Sequence, residues 1–168
     1  EKNIAEFPES AAVRWDYVKL LEKIGTPELL ERARQILEEI LKLKGVRKAY
    51  YQSKLAGIYE QMGEYQTAIE LCERAMREEA EYLRPYLTLA ELYLDSLRDG
   101  KKAAKTFKSA QSFLKKTDSL YEEYVNDMTK ISAFRGKWKE ARSYADESIG
   151  IIEKKYGSLK EYLSAKKY

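Results

Sequence analysis

The chain has 168 residues, with 31 basic and 28 acidic side chains, one cysteine and no histidine. That length suffices for a single domain with its own core. Without histidine, Ser-His-Asp and Cys-His catalysis, imidazole acid–base chemistry and His-ligated metals are excluded, and a lone cysteine allows neither an intrachain disulfide nor a cysteine-based zinc cage.

Helices are predicted throughout. Residues 1–9, with Phe7 and Pro8, read as a lead-in, and Ser10 caps a first helix reaching about Ile24. Thr26 caps the second, with Pro27 at its first position, where a missing N–H costs nothing; it runs to about Leu43, and Gly45 suits the left-handed residue that ends it. A third helix extends to Met62, and Gly63 separates it from a fourth ending near Ala80. Pro85 opens the fifth, and Asp99 with Gly100 makes the turn into a sixth that ends around Lys116. Ser119 with Glu122 has capping-box spacing for the seventh, Gly136 divides it from the eighth, and Ser158 with Glu161 starts a short ninth over 158–167. No stretch approaches the ~20 apolar residues needed to span a bilayer.

Small and apolar residues recur along these helices. Leu55, Ala56, Tyr59, Gly63, Tyr65, Ala68, Cys72 and Ala75 set the pattern. It returns as Tyr86, Leu89, Ala90 and Tyr93, then Ala103, Phe107 and Ala110, with one extra residue in the turn between. A looser copy starts near Arg14 with Tyr17, Leu20, Leu21, Ile24, Ala33, Leu37 and Ile40; another starts near Glu122, with Gly136, Trp138, Ala141, Tyr144 and Ala145. Ala33, Ala68 and Ala103 are spaced by 35 residues. A period of that size means stacked helix pairs, each burying its apolar face against the next.

The pattern resembles the tetratricopeptide repeat, most closely over residues 49–110, with repeats at approximately 14–47, 49–82, 83–117 and 122–155. The resemblance implies an all-α, right-handed α-α superhelix of about four antiparallel helix pairs plus a C-terminal capping helix, one domain over 1–168. It implies a non-catalytic protein–protein interaction scaffold or adaptor that holds a peptide segment of its partner in a concave groove. Carrying the family's groove columns onto this chain gives Trp15, Tyr50, Ser53, Arg84, Leu87, Glu91, Asn126 and Lys130 as peptide-binding residues. Val18 and Glu22 stand where the chaperone-binding subgroup has the Lys and Asn of its carboxylate clamp, so that ligand is not supported.

Other readings compete. Trp15 can pack on Phe7, and Tyr50 can simply continue the core. A structural self-association module of a larger protein is the first rival, and a helical-repeat RNA binder the second. The RNA reading needs a basic track, whereas residues 150–168 hold five lysines against two glutamates and leave the body balanced. The same C-terminal segment is amphipathic enough to touch a membrane, but such segments more often cap the last repeat.

No cofactor or metal is expected: the eight glycines never form G-x-G-x-x-G or a Walker loop, and carboxylate pairs such as Glu38 and Glu39 read as solvated faces. Cys72 reads as packing. Abundant Glu, Lys and Arg with only two asparagines point to a thermophilic source. Because residue 1 is Glu rather than Met, the chain reads as a piece of something longer; a cytoplasmic setting is expected, with an exported or lipid-anchored form open.

Overall fold

A computed structural model describes residues 10–111, 114–115 and 120–158. Among these, every regular element is helical: α1 (Ala11–Ile24), α2 (Pro27–Lys42), α3 (Lys48–Gln61), α4 (Tyr65–Glu78), α5 (Arg84–Glu91), α6 (Gly100–Ala110), α7 (Tyr121–Phe134) and α8 (Trp138–Tyr156). A π-helical turn, Leu92–Ser96, follows α5. The chain divides into two compact units between Leu92 and Tyr93.

In the first unit α1 pairs with α2, α2 packs on α3, α3 pairs with α4, and α5 docks on both α3 and α4. The packing follows from helical periodicity. On α2 the buried residues are Leu30, Ala33, Ile36, Leu37 and Ile40, a stripe at three- and four-residue spacing that meets Val18, Leu21, Leu55 and Ile58 in one core. Ala33 and Ala68 are fully buried early in the second helix of each pair, where a larger side chain would force the helices beyond their usual separation of about 8–10 Å.

In the second unit α6 packs on α7 and α7 pairs with α8. Ala103, Phe107, Val125 and Ile131 are completely buried, and the Phe107 ring meets Tyr124 edge-on at 5.2 Å between centroids. Sealing the Phe107 side chain from water contributes about 1.5–3 kcal/mol.

The turns explain the spacing of the repeats. At Gly63 and Gly136, both left-handed (φ 79° and 70°), the chain closes with a bond spanning five residues: Glu64 N–H donates to Tyr59 O and Lys137 N–H to Ser132 O, each at 2.8 Å. After α5 the corresponding bond runs from Asp99 N–H to Tyr93 O at 2.6 Å and spans six. The extra residue in the sequence pattern is therefore taken up next to the π turn, and Arg98, not a glycine, carries the positive φ of 53°.

Several expected boundaries shift. Ser10 caps α1 through its side chain, which accepts from Val13 N–H at 3.3 Å, but Thr26 makes no side-chain cap bond and serves α2 through its carbonyl, which accepts from Leu29 and Leu30. Gly100 begins α6 instead of sharing the turn, and Asp99 caps it by accepting from Lys102 N–H at 3.0 Å. That helix ends at Ala110, short of Lys116; Leu114 and Lys115 are not helical. The lead-in at 1–9, Ser119 of the expected capping box and, beyond Ser158, the helix expected over 158–167 lie outside the described residues. No described helix is long and apolar enough to cross a membrane.

Candidate protein-interaction face

Within the first unit, α1 and α3 bring three aromatic rings together. Trp15 meets Tyr50 edge-on at 5.9 Å and Tyr51 at 6.4 Å, and the adjacent Tyr50 and Tyr51 rings lie 5.0 Å apart, again edge-on. Such contacts contribute roughly 0.5–1.5 kcal/mol each beyond area burial. All three side chains are half-buried, so part of each ring remains accessible. The Lys54 ammonium stands 5.5 Å from the Trp15 ring and 5.6 Å from that of Tyr50, which adds a positive charge to an aromatic surface.

A second contact set continues from α3 toward α5. The Arg47 guanidinium lies 4.0 Å over the Tyr82 ring while its Nε donates to Glu79 at 2.7 Å. Burial pushes the Tyr82 phenol up, and the positive charges of Arg47 and Arg84 pull it partly back. Burial likewise raises Tyr51, with the Tyr50 phenol adding to the shift. At neutral pH the Tyr51 and Tyr82 phenols are therefore un-ionised, able both to donate and to accept hydrogen bonds.

The residues carried over from the repeat pattern separate into different surroundings. Trp15 and Tyr50 are in contact, and Arg84 is half-buried within electrostatic reach of Tyr82. Ser53 and Leu87 are corrected: they are 2% and 0% exposed, and the Ser53 hydroxyl donates to Ala49 O at 2.8 Å, so both serve packing and present no surface to a ligand. Glu91 is half-buried on α5. In the second unit, Asn126 Oδ1 accepts from the Ser148 hydroxyl at 2.6 Å, and the exposed Lys130 donates to Asp127 Oδ1 at 2.9 Å. Asp127 is 3% exposed and its Oδ2 has no hydrogen-bond partner among the described residues; burial raises its carboxyl, with Lys130 opposing.

Tyr51, Lys54 and Tyr82 were not anticipated as members of the aromatic face. The signal lay in the sequence: Lys54 follows Tyr50 by four residues, which puts an ammonium over a ring on the same helix face. The interior offers little for covalent chemistry. Cys72 is fully buried, and desolvation, with the nearby Glu60 and Glu73 carboxylates, pushes its thiol up to about 12, far from the thiolate a nucleophile needs.

Residues 59–123 match the family model described as tetratricopeptide repeat. Two crystal structures, both of MamA, share the fold at 21% sequence identity. One has a TM-score of 0.64 and covers 92% of this chain and 85% of its own; the other has a TM-score of 0.61, with 90% and 78%. At that identity the likeness concerns fold alone. No curated protein matches the chain.

Proposed function

We propose, from the premise that this chain is a tetratricopeptide-like helical-repeat domain, that it is a non-catalytic scaffold holding a peptide segment of a partner protein against the aromatic face of its first unit. The observation that carries this is the edge-on cluster of Trp15, Tyr50 and Tyr51 under the Lys54 ammonium. Interaction hot spots concentrate in aromatic and arginine side chains. Here the rings already hold one another in place, so a ligand would immobilise few rotatable bonds on binding.

The chemistry favours a peptide with one apolar side chain to lie on the rings and with carboxylate or carbonyl oxygens for Lys54 and Arg84. Lack of histidine and the raised, buried Cys72 thiol support the non-catalytic part of the reading. The test is selection from a displayed random-peptide library, followed by rebinding to a protein carrying Trp15→Ala and Tyr50→Ala whose helicity is checked by circular dichroism. Selected peptides should lose about tenfold or more in affinity. Undiminished binding to the folded variant defeats the reading.

A second reading has one specific observation behind it. Leu20 and Ile24, one helical turn apart on α1, are 55% and 58% exposed. Such a strip suits a second copy of the chain in a self-association module. Light scattering that gives a monomer mass across a wide concentration range removes it.

A further inference from the structure

We propose that the turns of the second unit form a docking site for an acidic peptide segment bearing an apolar side chain, distinct from the aromatic face of the first unit. A cavity of about 620 Å³ lies there, lined by Leu97–Lys101 and by Phe134, Arg135 and Lys137. That volume is within the range that holds small ligands and peptide side chains, about 300–1,000 Å³.

Its charge is one-sided. Arg98, Lys101, Arg135 and Lys137 line it against one carboxylate, Asp99. Asp99 is already committed, accepting from Lys102 N–H at 3.0 Å with the Lys102 ammonium 3.8 Å away. Lys137 reaches Glu140 at 2.8 Å. Arg98 lies 4.8 Å over the Phe134 ring, and none of Arg98, Lys101 and Arg135 has a carboxylate partner among the described residues. Three positive groups around one cavity without a carboxylate partner among the described residues leave a potential that an anionic ligand would satisfy.

The walls are also apolar. Leu97 and Phe134 are 37% and 43% exposed, and Trp138, next along the chain from Lys137, is 70% exposed. A nucleic-acid backbone calls for a continuous track of cations. Cations interleaved with exposed apolar groups instead match carboxylates flanking an apolar side chain.

The backbone gives an independent reason to regard this turn as specialised. The two turns that close with the five-residue bond put glycine at the left-handed position; here, with a six-residue bond, Arg98 holds φ 53° beside the π turn. A non-glycine residue in that conformation costs roughly 1–2 kcal/mol. Strain of this sort concentrates at ligand sites, and Arg98 is the side chain it projects at the cavity rim.

The experiment uses the full chain on an array of dodecapeptides combining Glu or Asp with Leu or Phe, each beside its Gln or Asn counterpart, with oligouridylate as competitor. Acidic peptides should bind about tenfold or more above their amide counterparts. Arg98→Gly, which relieves the backbone, and Lys101→Gln, on an exposed helical position, should each reduce that binding several-fold with helicity unchanged, both in the native chain and in a chain also carrying Trp15→Ala and Tyr50→Ala, which removes the contribution of the first unit's aromatic face. Equal binding of acidic and amide peptides overturns the proposal. So does wild-type binding by both variants, and so does oligouridylate that displaces the peptides while binding more tightly than they do.

Discussion

Gly100 and Phe134 approach so closely that a Cβ on Gly100 would lie 2.6 Å from Phe134 Cδ1, with Arg135 Cγ at 3.1 Å. The first residue of α6 is thus wedged against the last residue of α7, and the absence of a side chain sets how near the two turns of the second unit come. Gly100→Ala should destabilise by about 1–3 kcal/mol, the usual cost of overpacking. Adding Phe134→Ala should remove most of that penalty, since the ring is what the methyl meets. A double-mutant cycle in urea measures both, and additivity of the two changes would contradict the contact.

Left-handed turns give a paired test. Gly63 has φ 79° and nothing within 4 Å of an added Cβ, so Gly63→Ala probes backbone conformation without a clash and should cost about 1 kcal/mol. Arg98→Gly should move stability in the opposite direction by about the same amount, because it relieves a φ of 53°. Calorimetric midpoints of the two variants should lie on opposite sides of that of the unmodified protein.

The thiol of Cys72 predicts an alkaline weakness. Its protonated form is the one the core accepts, and its value rises from an ordinary 9.0 to about 12. Above pH 9 the unfolded chain releases this proton while the folded chain keeps it until about 12, so the contribution to stability is intact below that window and lost as pH rises through it. Tyr124, pushed up to about 12 chiefly by burial, acts with the same sign. Urea midpoints should therefore fall more steeply with rising pH in the native protein than in Cys72→Ala. A disulfide reagent should leave native Cys72 untouched near pH 8 and react on unfolding.

At acid pH the corresponding reporter is Glu31. Its hydrogen bonds from Arg34, with a further one from Gln35, hold its carboxyl down at about 2. The folded group thus stays ionised below the ordinary carboxylate range, and its contribution is lost as pH falls toward about 2. Titration of the side-chain carboxyl by NMR should give a midpoint near that value, and Arg34→Met should return it toward the ordinary range.

Much of the fold was legible because helix periodicity and turn chemistry are local. Ala33, Ala68 and Ala103 repeat at one spacing and all are fully buried, and the surplus residue near Asp99 appears as the six-residue bond to Tyr93. The proposed interaction surface was less so. Periodicity fixes the angle at which Ser53 and Leu87 leave their helices, but not how closely a neighbour covers that angle, and both are buried. Trp15 and Tyr50 were singled out by the repeat columns they occupy, whereas their contact across two helices depends on packing that no spacing rule specifies. The cations around Arg98 lie far apart in the sequence, on two turns, and look like ordinary surface charge until the fold gathers them.

The claim that a peptide lies on the first unit's aromatic face can be read from Trp15 directly. With Trp138→Phe, Trp15 is the sole remaining tryptophan and its emission reports on that face alone. Titration with a peptide selected on the native protein should shift and saturate this emission, and Tyr50→Ala should weaken the apparent affinity about tenfold. Unchanged Trp15 emission, with the same peptide altering Trp138 emission in a Trp15→Phe protein, would contradict the account and move the binding site to the second unit.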